Sequence, residues 1–224
     1  ASLGFGVIEY GYSIMAREAG IEMADCQLLE EGGRRHFMTK RFDRAENKKL
    51  HMQSLCGLAH YDFNNPTAHS YEEALTAIRQ LGLAHTDVEQ QFRRMVFNIV
   101  ARNHDDHVKN IAFLMSRAGE WRLAPAFDVM YAYNPAGTWT SQHQMSVNGK
   151  RKGHTRQDLI ACARAFSISP RRANAVIEDV RAAVSQWPQL CRELDMAPDL
   201  ARMVNKTLRV REFGPPGRST PSSI

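Results

Sequence analysis

Cysteine is scarce in this chain and poorly spaced for chemistry. Cys26, Cys56, Cys162 and Cys191 are far apart, and no C-x-x-C pair occurs. That argues against a zinc site or a disulfide framework and suits a reducing cytoplasm, with each thiol serving as small apolar filler. No apolar run reaches the roughly eighteen residues a membrane-spanning helix needs. The opening ASLGFGVIEYGY has no basic stretch followed by an apolar core, which argues against a secretory leader. No histidine pair has the H-E-x-x-H spacing of a zinc protease. Internal repeats are absent, and so is any nucleic-acid motif with interleaved aromatics or a recognition helix.

What is present can build one large core or two modest ones: 224 residues, 43% of them hydrophobic. The net charge of +5 permits an anionic partner, and the phosphates of ATP fit as well as a nucleic acid. Residues 7–19 (VIEYGYSIMAREA) carry Val7, Tyr10, Ile14 and Met15 at helical spacing, and Gly20 is placed to end the helix. Strands are expected over Cys26–Leu29 and His36–Phe42 around EEGGRR, with Gly32-Gly33 as the turn. Residues 45–101 read as helical throughout, with Leu50, Leu55, Leu58 and Ala59 along one side. Ser70 and Glu73 form a capping box, and Thr86 is the expected cap of the next helix. Its buried stripe is Phe92, Met95, Val96, Ile99 and Val100. The alternation of IAFLM and WRL around SRAGE predicts a hairpin. HQMSVNGK suggests a short strand and an Asn-Gly turn. Thr155 with Asp158, and Ser169 with Pro170, open further helices, and another is expected over Pro198–Arg211. The sequence thus predicts an α+β, mostly α-helical fold. Its parts are residues 1–44 (helix, hairpin and exit strand), a helical domain over 45–212, and a disordered tail over 213–224.

The densest chemistry lies in RNHDDHVKN, Arg102–Asn110, directly behind the apolar run MVFNIVA. Asp105 and Asn110 are five apart, and Asp128 follows in the apolar frame PAFDVM. A carboxylate to accept a hydroxyl proton, with an amide oxygen and a second carboxylate to hold magnesium, is what phosphoryl transfer requires. D-x-x-x-x-N is also the spacing of the protein-kinase catalytic loop. By itself the spacing fits an ordinary polar turn equally well, since Asp and Asn bond nearby backbone. Asp106, beside Asp105, has a supporting or magnesium-adjacent role.

RNHDDHVKN followed by RLAPAFDV resembles the signature of HipA-family serine/threonine kinases, the toxin halves of bacterial toxin–antitoxin pairs. EYGYSIMAREAGIEM, HFMTKRFDR, KLHMQSLCGLAHYDF and HQMSVNGKRKG extend the resemblance over residues 7–212. It implies the C-terminal lobe of a kinase-like domain, with ATP and Mg2+ as cofactors and Asp105 as base. Asn110 and Asp128 become metal ligands, with His107 and Lys109 beside the reacting groups; Lys109 neutralises the transferred phosphoryl or pairs with an acid. Lys40 and Phe42 fall where the adenine hinge is expected, or on a plain charged edge strand. Glu9 becomes the partner of an ATP-binding lysine, or simply an acid that favours a helix N-terminus. The resemblance further implies a DNA-binding antitoxin, DNA reached only through it, no membrane, and a protein substrate linked to translation.

Neither the lysine strand nor the phosphate-covering loop occurs in these 224 residues. The chain alone is therefore expected to bind nucleotide weakly and transfer phosphoryl groups poorly. Val7, Tyr10 and Ile14 should form an exposed apolar patch. Two other readings stand beside this one: an inactive binding module that keeps the partner-facing surface, and a metal-dependent hydrolase built on His104, Asp105, His107 and Asp128.

Overall fold

The computed structural model describes residues 4–45, 48–62, 64–65 and 68–214. The chain opens with α1 (Phe5–Glu18), then a hairpin of β1 (Cys26–Glu31) and β2 (Arg34–Thr39), and the short β3 (Arg44–Ala45) and β4 (Lys48–Lys49). Next come β5 (His51–Ser54), the single turn α2 (Leu55–Leu58), α3 (Tyr71–Gln80) and α4 (His85–Ala101). β6 (Ala112–Met115) and β7 (Trp121–Leu123) precede α5 (Arg156–Ala165), α6 (Pro170–Ser185), α7 (Trp187–Glu193) and α8 (Pro198–Asn205). This is the mostly helical α+β fold expected.

Local signals set many of the boundaries. The Ser70 hydroxyl accepts the Glu73 N–H at 3.1 Å while the Glu73 carboxylate accepts the Ser70 N–H at 2.6 Å, so α3 starts with two orphan donors satisfied. Thr155 and Asp158 repeat the device at α5. Ser169 caps α6, with Pro170 in its first turn. Gly32 and Gly33, both at positive φ, close the β1–β2 turn. In α4 the whole expected stripe, Phe92 to Val100, is buried.

Three expectations need correction. Residues 45–101 are not helical throughout: His51–Ser54 pairs antiparallel with Ala112–Met115, making the three-stranded sheet β5-β6-β7. Apolar spacing around Leu50 and Leu55 fits either period, and a partner sixty residues away decides. Thr86 does not cap α4; the helix starts at His85 with Ala84 as N-cap. The apolar patch on α1 does not form either. Val7 is buried, and Tyr10 and Ile14 are partly covered, because α1 packs on the β1–β2 hairpin, α6 and α7. The centre of that contact is Tyr12, fully buried among Phe97, Tyr131 and Trp187, with its hydroxyl donating to the Ala101 carbonyl at 2.5 Å.

After α8 the backbone doubles back as a strap over the end of α4. Arg209 N–H donates to the Val100 carbonyl at 2.9 Å, and Arg102 Nε donates to the Thr207 carbonyl at 2.9 Å. Arg156 donates to the carbonyl of Phe213, whose ring is buried. Packing therefore continues past residue 212; the rest of the expected tail, 215–224, lies outside the described residues.

Candidate active site

The loop Arg102–Ile111 begins where α4 ends, and α4 ends sharply. Arg102 takes the left-handed conformation, φ 61°, a position glycine normally fills. Its side chain compensates: beside the bond to Thr207, the guanidinium lies 4.5 Å from the ring centre of Tyr133. Backbone pairs then fix the loop on both sides. His104 N–H donates to Ala132 and Ala132 N–H to Arg102, each at 3.1 Å. Leu55 N–H donates to Ile111 and Cys56 N–H to Val108, so the start of α2 supports the loop's far end. Val108 and Ile111 are buried as apolar anchors, while Asp105, His107 and Asn110 are half-buried and Lys109 is exposed.

Asp128 arrives on the segment beyond β7. Ala124 N–H donates to Ala112, Ala126 N–H donates to Glu22, and Arg94 donates to the Ala124 carbonyl. Asp128 itself adopts φ 54°, a conformation aspartate tolerates, and its side chain is exposed. A narrow cavity of about 30 Å³ is lined by His107, Asn110, Phe127 and Asp128, together with Arg94 and Asn103 of the helix and loop.

The electrostatics tie these acids together. Burial first, then the charge of Asp128, pushes the Glu9 carboxyl from its ordinary 4.5 up to about 7. Asp105 is also raised: burial leads, Asp128 and Asp106 add to it, and His107, with Nε2 at 3.7 Å, works against them. The charge of Asp128 is thus felt by both Glu9 and Asp105. Asn110 donates its amide N–H to the Asp105 carbonyl at 2.9 Å, which leaves its oxygen as the end free to meet a cation.

The adenine-side residues separate into two cases. Phe42 lies 5.7 Å from Phe127, the neighbour of Asp128, with the rings tilted by 43°, in a small apolar cluster with Leu50, Ala112, Leu114 and Ala124. Lys40 is exposed; its backbone N–H donates to Asp25, extending the hairpin one step. Asp43 then holds the exit strand through both Arg41 and Arg44, and its carbonyl accepts Leu50 N–H.

Asp106 turns the opposite way from Asp105. It is buried, and its carboxylate accepts the Tyr71 hydroxyl at 2.7 Å, His143 Nδ1 at 2.7 Å and Gln144 N–H at 2.8 Å. Burial raises its pKa, but those three donors overcome the effect and hold it below the usual carboxylate range. Its supporting role is thus one of structure. Tyr71, His143 and Gln144 carry no motif; only the fold brings them to the loop.

His104 also points inward. Its ring lies 4.1 Å from His143, its Nδ1 bonds the Thr140 carbonyl, and burial depresses its pKa to about 3. The hydrolase reading fails on this geometry. His104 is withdrawn from Asp105 and Asp128, and among the described residues no three His, Cys, Asp or Glu side chains are grouped to hold a metal ion.

With this geometry established, comparison with known proteins places the chain. The family model of the HipA-like C-terminal domain matches residues 3–187. The chain belongs to that family. Among solved structures it is similar to HipA of Shewanella oneidensis MR-1, determined with HipB and its operator DNA. That match has a TM-score of 0.73 and 15% identity, over 93% of this chain and 55% of that one. It is also similar to the proinflammatory kinase CtkA of Helicobacter pylori, with a TM-score of 0.53 and 13% identity over 91% of this chain and 89% of the other. At such identities the likeness is one of fold. This HipA-like chain spans about half the length of the HipA it matches. Among the described residues, no helix is long and apolar enough to cross a membrane.

Proposed function

We propose that this HipA-like chain is the C-terminal part of a serine/threonine protein kinase, using ATP and Mg2+. In this reading residues 1–44 belong to the nucleotide-facing lobe and 45–212 form the catalytic domain. The observation that carries it is a cavity lined by Asn110, His107 and Asp128, with the charge of Asp128 felt by both Glu9 and Asp105, beside a loop that offers an amide oxygen. Such a set suits Mg2+, which is held through one or two carboxylates and otherwise keeps water and phosphate oxygens. Asp128 and the Asn110 oxygen would hold the ion, which when bound would supply neutralisation of the charge on the transferred phosphoryl group.

Asp105 accepts the proton of the acceptor hydroxyl. Its raised pKa keeps the carboxyl able to take that proton, and His107 at 3.7 Å steadies the ionised form. Lys109, exposed on the same loop, meets the phosphoryl oxygens. Phe42 and the backbone at Lys40 receive the adenine, with Phe127 linking that surface to Asp128. Glu9 pairs with a cationic side chain, which returns its pKa toward the ordinary range. By analogy with the solved HipA–HipB–DNA assembly, the partner is a DNA-binding antitoxin, and DNA is reached only through it. The family resemblance adds a protein substrate linked to translation and a cytoplasmic location for this chain.

Calorimetric titration of the chain with Mg–ATP tests this reading, beside a transfer assay with labelled γ-phosphate. Weak, magnesium-dependent binding that Asp128→Asn removes is expected, with little transfer by residues 1–224 alone. Absence of nucleotide binding would leave a partner-binding module instead.

A further inference from the structure

Asp106 is fully committed yet takes no part in the chemistry just described. Its three partners come from separate places: Tyr71 opens α3, and His143 and Gln144 sit in the long segment that follows Asp128. The network runs further. Asn98 of α4 donates to the Tyr71 hydroxyl oxygen at 2.9 Å, and Asn103 donates to Asn98 at 3.1 Å, which returns the chain of bonds to the loop. Asp106, Asn103 and His143 are all at least nine-tenths buried.

We propose that Asp106 is the positioning residue of the catalytic loop: clamped by Tyr71, His143 and Gln144, it fixes the adjacent Asp105 and couples the loop to the segment after Asp128. The kinetic consequence rests on the phosphoryl-transfer reading; the clamp itself does not.

The donors decide which side chain the position accepts. Gln144 N–H and the His143 ring reach different oxygens of Asp106, so the group between them must accept at both ends. Asp106→Asn keeps the size but sets an NH2 against one donor in either orientation. His143 could escape only by changing tautomer, which would bury an Nε2–H; that nitrogen has no partner among the described residues.

Two readouts test the clamp. In hydrogen exchange, Asp106→Asn should speed the amides of residues 104–110 and 143–146 together, roughly ten- to a hundredfold, while α5 and α6 stay protected. In the transfer assay with the natural full-length protein, kcat per folded molecule should fall ~100-fold with KM for Mg–ATP little changed, as misplacement of a reacting group predicts. His143→Asn, whose amide can donate from the Nδ1 position, should retain most of both properties in the parent protein; His143→Phe, which keeps the ring but not the donor, should not. Unchanged exchange in residues 104–110 overturns the proposal. So does altered exchange with kcat per folded molecule intact, because the role is then structural only. If the unsubstituted protein transfers no phosphoryl group, the kinase reading fails, and the exchange data alone decide whether the clamp stands.

Discussion

Asp105 and Asp106 are one peptide bond apart and live in opposite surroundings. Asp105 is half-exposed, faces other acids, and has its protonation raised. Asp106 is buried, receives three hydrogen bonds, and has its protonation lowered. The comparison shows that burial alone does not make an acid reactive. Asp106 is the more buried of the two, yet every lone pair it needs to offer is spoken for, whereas Asp105 keeps unmet capacity on a half-exposed side chain.

Four further measurements can break or sharpen that contrast. The largest effect should come from Asp105→Asn in the full-length protein: transfer falls by about 10²–10⁴-fold, while Mg–ATP affinity and the thermal midpoint barely move. A variant that unfolds would mean Asp105 is a turn residue like any other. Acid stability comes next and belongs to the Asp106 side. Burial holds His104 near pKa 3 and His154 near 4, against an ordinary 6.5. The stability these neutral rings contribute is complete above pH 6.5 and is lost as pH falls through those depressed values, on the order of a few kcal/mol in all. His104→Phe should flatten that acid limb in chemical denaturation; an unchanged limb would show that the ring protonates freely.

Glu9 should give the reverse slope, more weakly. With its pKa raised from 4.5 to about 7, folding favours its protonated form, so its contribution declines as pH rises across that interval. Glu9→Gln should remove the decline, and added Mg2+ should offset it in the parent protein. A slope that Glu9→Gln leaves in place would assign it to another group. The smallest effects are at the caps. Ser70→Ala and Thr155→Ala should each cost about 1 kcal/mol in denaturant titration. Only Ser70→Ala, adjacent to Tyr71, should also loosen residues 104–110 in hydrogen exchange; equal loosening by both would show that the loop senses global stability alone.

Most of what depended on neighbours in sequence was legible beforehand, the cap of α4, Ala84 in place of Thr86, being the exception. Ser70 with Glu73, Thr155 with Asp158, Gly32-Gly33 and the stripe on α4 all act within a few residues, so spacing suffices. The chemistry at Asp105, Asn110 and Asp128 could be nominated because those residue types and intervals carry a mechanism. Long-range partners were not legible. His51–Ser54 becomes a strand only because Ala112–Met115 lies beside it. The α1 face is covered by a packing centre at Tyr12 that no local pattern announces. Asp106 reads as a supporting or magnesium-adjacent acid; nothing near it in sequence reveals Tyr71 or His143, thirty-five and thirty-seven positions away.

The strap over α4 bears on the order in which the molecule can be completed. Arg102 starts the loop that carries Asp105 and Asn110, yet the groups that brace it, Thr207 and Arg209, are about a hundred positions later in the chain. A ribosome adding roughly 5–20 residues per second emits Arg102 several seconds before those braces exist. Through that interval the left-handed turn at Arg102 lacks its bond to Thr207, and the Val100 carbonyl lacks the Arg209 N–H. The nascent protein thus carries every acid of the candidate site before it can hold them in register, and the loop closes only once Thr207 and Arg209 have been made.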